Sequence, residues 1–184
     1  MENVMIDIET LGTKPYSVLL SLAGVEFDLE SGETGRTFYQ NISIQSCLDH
    51  NLVIEEQTLL WWLKQDKQAQ ETLINPTPKR DTLDNVLYKF YGWLINIKQQ
   101  DKPLYMWGNS NRFDLGLLSN AMERVGIEKM PWNFYDERDV RTLVHFNPQI
   151  KKDMVFEGVK HSALDDCYHQ IKYCSEIYRS LKTT

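Results

Sequence analysis

The chain has 184 residues, 42% of them hydrophobic and 25% charged, with a formal net charge of −6. That length supports one well-buried core and asks for no second domain, so a single unit over residues 1–184 is expected. The acidic balance disfavours a broad electrostatic grip on a polyanion, and with no long apolar run and no basic, apolar leader, neither a membrane span nor export is expected.

The first element is also the most informative. Val4-Met5-Ile6-Asp7-Ile8-Glu9-Thr10-Leu11-Gly12 reads as a short buried strand running up to a glycine turn. Strand side chains repeat direction every second residue, so Asp7 and Glu9 emerge on one face. Two like charges held side by side need a cation, a shared proton or a basic neighbour. A divalent metal is the first choice, and oxygen-only ligands suit Mg²⁺ or Mn²⁺ better than zinc. A solvated strand end with a fortuitous D-x-E is the plain alternative.

Strands follow at residues 18–27 and 37–44, joined through the polar, glycine-containing loop 28–35 (DLESGETG). From Glu55 the spacing turns helical, with Thr58 a candidate cap, Trp62 expected to pack inward and Trp61 free to stack on a base. Asn75-Pro76-Thr77-Pro78 stops that helix. An amphipathic helix spans 82–97, a short buried strand 104–107 and a further helix 113–125. Residues 126–160 read less regularly: a short strand near Phe134, a helical turn around 140–144, and a basic, mobile loop through Lys151 and Lys152. The final helix spans 162–181, opened by a capping box of Ser162 and Asp165. Strands followed by alternating helices and strands predict an α/β fold, a mixed sheet with helices on its faces. Cys47, Cys167 and Cys174 are odd in number and lack C-x-x-C spacing, so neither a disulfide framework nor a zinc ribbon is suggested.

Two more acids stand out. Tyr105 to Asp114 leads from a strand into a helix and puts Asp114 in the first turn, where the helix dipole alone would explain a carboxylate. In His161-Ser162-Ala163-Leu164-Asp165-Asp166, the cap occupies Asp165 and leaves Asp166 to point elsewhere. His50, His145 and His169 have no partner at metal spacing, and Asp139 is either a further acid near the metals or a helix cap.

The ordered set Ile6-Asp7-Ile8-Glu9-Thr10, Asn109 through Asp114, and His161 with Asp166 resembles the DEDDh branch of the 3'-5' exonucleases, the DnaQ-like superfamily with a ribonuclease H-like fold. Thr58 to Leu63, the Gly-Asn-Ser form of the second motif, and Ala163-Leu164-Asp165-Asp166 with Gln170 and Tyr173 narrow it to a subgroup. They look like the phage DexA-type exonucleases and the Rv2179c-like exoribonucleases.

The resemblance implies that Asp7, Glu9, Asp114 and Asp166 hold two divalent cations, Mg²⁺ or Mn²⁺, with His161 as general base. Thr10, Leu11, Gly12, Trp61, Asn109 and Arg112 are then the substrate-binding candidates, with Leu11 a wedge against the last nucleotide. Arg138, Arg141 and Lys160 are further candidate phosphate contacts. The implied partner is the 3' end of single-stranded DNA or RNA, DNA slightly favoured, with short RNA the alternative and a non-catalytic end-binding module the rival. Relatives of this kind are often dimers, so a homodimer is an open expectation. The compartment expected is the cytoplasm, that of the host if a phage encodes the chain.

Overall fold

The computed structural model describes residues 1–99 and 102–182. Its centre is a five-stranded sheet in the order β3-β2-β1-β4-β5, built from β1 (Asn3–Thr10), β2 (Leu19–Phe27), β3 (Thr34–Asn41), β4 (Tyr105–Gly108) and β5 (Glu137–Asp139). β1 pairs antiparallel with β2 and parallel with β4. β2 and β3 are antiparallel, and β4 and β5 parallel. The C-terminal ends of β1, β4 and β5 therefore open on the same side, where open α/β sheets place their ligands.

Helices cover both faces. Val4, Ile6 and Ile8 of β1 point into the larger core, with Val86, Leu87, Phe90 and Leu94 of α4 (Leu83–Ile97) and Leu115, Leu118 and Met122 of α5 (Asn111–Arg124). Met5 points to the opposite core, formed with Cys167, Ile171, Cys174 and Ile177 of α8 (Ala163–Lys182). Period-two alternation thus sends Asp7 and Glu9, in step with Met5, toward α8.

The structure departs from the sequence expectation in several local places. The third strand begins at Thr34, because the turn tightens around Asp28, whose Oδ1 accepts from the Glu30 and Ser31 N–H groups. A short α1 (Ile44–Asp49), capped by Ser43, was not expected. The helix predicted after Glu55 is two, α2 (Glu56–Trp62) and α3 (Lys67–Ile74). The break falls where Asp66 starts a new helix, its side chain accepting from Ala69 N–H at 2.9 Å. Glu55 is the N-cap of α2, so Thr58 is not. The strand expected near Phe134 is a short 3₁₀ turn (Phe134–Asp136) ahead of β5. The helical turn expected around 140–144 is α6 (Val140–Phe146). Lys151 and Lys152 lie in a helix, α7 (Pro148–Asp153), whose first turn Pro148 favours and whose C-terminal dipole their charges complement.

Among the described residues no helix is long and apolar enough to cross a membrane. All three cysteines are buried and free. His50 pairs with Asp84 and with the Ser46 carbonyl.

Candidate active site

Four carboxylates reach one point from three elements. Asp7 and Glu9 come from β1, Asp114 from the first turn of α5 just beyond β4, and Asp166 from the first turn of α8. Their mutual repulsion is felt along the set: Asp114, Glu9 and Asp166 each act on Asp7, and Asp166 and Asp114 on Glu9.

Each acid has its own local anchor. Gln170, one turn after Asp166 on α8 and 4% exposed, donates Nε2 to Asp7 Oδ1 at 2.8 Å. Asp114 is 3% exposed and its Oδ2 accepts from Asn109 N–H at 2.7 Å. This close approach of α5 to the end of β4 depends on Gly108. A Cβ there would stand 3.0 Å from Asp114 Cβ and 3.2 Å from the Asn111 Cα, tighter than packed atoms accept without moving. Asp166 Oδ2 accepts from His161 N–H at 3.1 Å. The capping box does not form as expected: Asp165 Oδ2 instead accepts from Val159 N–H, pinning the loop before the helix.

Burial drives the acids toward protonation. It is the largest cause for all four, lifting Asp7 well above its ordinary value, Glu9 to about 8, Asp114 to about 7 and Asp166 to about 6. The neighbouring carboxylates add to this at Asp7 and Glu9, while at Asp114 the N–H groups of Asn109, Ile8 and Asp114 itself, and then Arg141, work the other way. So many half-buried or buried oxygens with so little opposing positive charge fit a hard divalent cation as counter-charge.

His161 completes the group. Its backbone is left-handed, at φ 63°. One ring nitrogen lies within 4.8 Å of a carboxylate oxygen of Glu9 and of Asp166. The ring meets Trp61 edge to face with centroids 4.8 Å apart. Burial lowers the imidazole pKa below its ordinary value, which favours the neutral ring.

Beside the acids opens a cavity of about 380 Å³ lined by Ile8, Glu9, Thr10, Gly12, Trp61 and Phe113, among others. Trp61 is 42% exposed at its mouth. Trp62 is 1% exposed and donates Nε1 to the Thr10 carbonyl at 2.9 Å, tying α2 to the end of β1. Gly12 fits tightly against Ser17, and Glu55 accepts from the Thr13 backbone and hydroxyl, so the turn after β1 is held from both sides.

The structure places three of the candidate residues in the scaffold. Leu11, expected as a wedge, is 2% exposed and part of the larger core, since its N–H and C=O are drawn inward to Val18 and Glu55. Asn109 is occupied in the scaffold, its N–H on Asp114 and its side-chain oxygen on Arg141. Asp139 caps α6 and accepts from Asn111 N–H, which spends its oxygens on backbone. Arg112 and Lys160 are exposed, and Arg138 lies over the Tyr105 ring. The sequence motif includes Gly108 without giving it a packing role, although a glycine between a strand and a helix start is a visible sign of close approach. It also left Gln170 without a role.

The model of the Rv2179c-like 3'-5' exoribonuclease domain matches residues 2–178. The chain belongs to that family. The exodeoxyribonuclease of Enterobacteria phage T4 is 22% identical to this Rv2179c-like chain over 201 residues, 93% of this chain and 86% of the phage protein. The nuclease domain of 3'hExo, a DEDDh family member solved with rAMP, shares the fold with a TM-score of 0.62 at 16% identity, over 97% of this chain and 92% of that one. The zinc-bound complex of E. coli ExoI with ssDNA has a TM-score of 0.63 at 15% identity, over 98% of this chain but 40% of that one. The Rv2179c-like chain is thus a 3'-5' exonuclease, a phosphodiester hydrolase, on a mixed sheet whose fold it shares with DEDDh exonucleases.

Proposed function

We propose that this exonuclease removes nucleoside 5'-monophosphates stepwise from the 3' end of a single strand. Asp7, Glu9, Asp114 and Asp166 hold two Mg²⁺ or Mn²⁺ ions, and His161 is the general base. The observation that carries this reading is the convergence of four carboxylates and a neutral imidazole beside an aromatic-walled cavity.

Two bound ions supply charge neutralisation at the scissile phosphate and an acidified water. The chain's own residues do the rest. Gln170 fixes one oxygen of Asp7 and so sets the direction of the other. The Asn109 N–H does the same for Asp114. His161 accepts the proton of the attacking water at its free ring nitrogen, a task suited to an imidazole whose neutral form is favoured. Trp61 and Phe113 take the face of the terminal base, while Thr10 and Gly12 frame its sugar.

Single-stranded DNA is our first substrate and short RNA the second. The family's exoribonuclease description favours RNA, and the T4 relative's activity favours DNA. Matched 5'-labelled DNA and RNA strands with Mn²⁺ should give a ladder shortening from the 3' end, and EDTA should abolish it. Internal cuts, or cleavage that persists in EDTA, would refute the reading.

Gln170→Leu should lower Mn²⁺ affinity about 10–100-fold, the usual cost of losing a group that orients a ligand. The rise of melting temperature with Mn²⁺ concentration reads this directly. An unchanged Mn²⁺ midpoint would mean that the amide does not orient Asp7.

A further inference from the structure

The imidazole of His161 stands where it can do more than accept a proton. A ring nitrogen of His161, a carboxylate oxygen of Glu9 and one of Asp166 all lie within 4.8 Å of one another. Three contacts flank the residue. The residue's backbone N–H is on Asp166 Oδ2, Trp61 meets the ring edge to face, and the Trp62 ring lies 6.1 Å away at a similar angle.

We propose that Glu9, Asp166 and His161 form a nitrogen-and-oxygen site for Zn²⁺ that overlaps the hard-ion cradle, and that zinc bound there inhibits the exonuclease by occupying the imidazole. Magnesium has little use for a ring nitrogen, whereas zinc takes imidazole at about 2.0–2.1 Å and carboxylate at about 2.0–2.2 Å. The Irving–Williams order adds to the advantage of zinc over harder ions at a mixed donor set. Ligand atoms around a tetrahedral zinc stand about 3.4 Å apart, so ligand atoms now within 4.8 Å of one another need to close by up to about 1.4 Å. Glu9, His161 and Asp166 are all half-buried rather than locked in the core, which leaves their side chains room for that movement. Once its nitrogen is committed to zinc, His161 has no lone pair for the attacking water.

The inhibitory part of this inference rests on the proposed base role of His161; the binding part does not. The test titrates Zn²⁺ alone and Mg²⁺ alone into the full chain by calorimetry, for wild type and His161→Ala. Wild type should bind Zn²⁺ at least tenfold more tightly than the variant, and Mg²⁺ equally. Co²⁺ in place of zinc should give wild type an intense visible absorption of a low-coordinate, nitrogen-ligated ion, absent in His161→Ala. Trp61→Ala, which keeps all three ligands but removes the ring's support, should weaken Zn²⁺ and leave Mg²⁺ unchanged. In wild type at saturating Mg²⁺, added Zn²⁺ should stop cleavage over the range in which it binds. Equal Zn²⁺ affinity in wild type and His161→Ala, or a parallel loss of both ions, overturns the site. If zinc binds through His161 but cleavage continues, the base role fails and the binding site stands.

Discussion

Asp7→Asn should reduce cleavage by about 10²–10³-fold, in line with the loss of one positioned electrostatic group from an active site, while making the metal-free protein harder to melt at pH 8. The two effects have the same source. Asp7 is crowded by Asp114, Glu9 and Asp166 and shielded from water, so its charged form is disfavoured in the folded chain. Asparagine keeps the shape and an oxygen for the Gln170 amide, and removes the charge. Removing that disfavoured charge should raise the melting temperature of the metal-free protein. Calorimetric melting in EDTA and a 3'-end assay in Mn²⁺ measure the two sides. A variant that cleaves at the wild-type rate would remove Asp7 from the site.

The second large effect is a pH dependence that metal reverses. Glu9, Asp114 and Asp166 have folded pKa values of about 8, 7 and 6, above their ordinary 4.5, 3.8 and 3.8, and Asp7 is likewise raised well above its ordinary value. Between about pH 4 and 8 the folded chain therefore holds more protons than the unfolded one, and stability falls as pH rises. The contribution of these groups is fully present below pH 4 and is lost through pH 6 to 8. Divalent ions bind the deprotonated set, so their stabilisation should grow over the same interval. At 100 times Kd it is about 2.7 kcal/mol, or about 5–11 °C. Melting at pH 5.5, 7 and 8.5, with EDTA and with Mn²⁺, should give curves that diverge with pH. Parallel curves would show that the acids do not share their protons with the metal site.

The site was legible from sequence because its chemistry leaves a mark on spacing. D-x-E needs only strand alternation to put two acids on one face, and Asp114 and Asp166 sit at helix starts that their own neighbours announce. The sheet and the main helices were readable for the same reason, since β1, α4 and α8 are long enough for their apolar periodicity to be unmistakable. What escaped reading depends on distant partners. Leu11 is apolar in either role, and only the pull of Val18 and Glu55 on its backbone sends it inward. Ser162 and Asp165 match a capping box in pattern, yet the free N–H of Val159 takes the carboxylate. The break between α2 and α3 comes from a competing cap at Asp66 rather than from a proline or glycine.

The shared helix of Asp166 and Gln170 also governs tolerance to changes in chain length. Each residue added within α8 turns the remainder of the helix by about 100°, so a single insertion between Asp166 and Gln170 would swing the amide off Asp7 and rotate the buried flank of α8 away from the sheet. The turn at residues 28–33 is docked on the far end of the same helix, where Arg179 donates to the Glu30 and Ser31 carbonyls and Lys182 pairs with Glu30. Variants of this enzyme that differ in length should therefore keep the register of the last helix residue for residue.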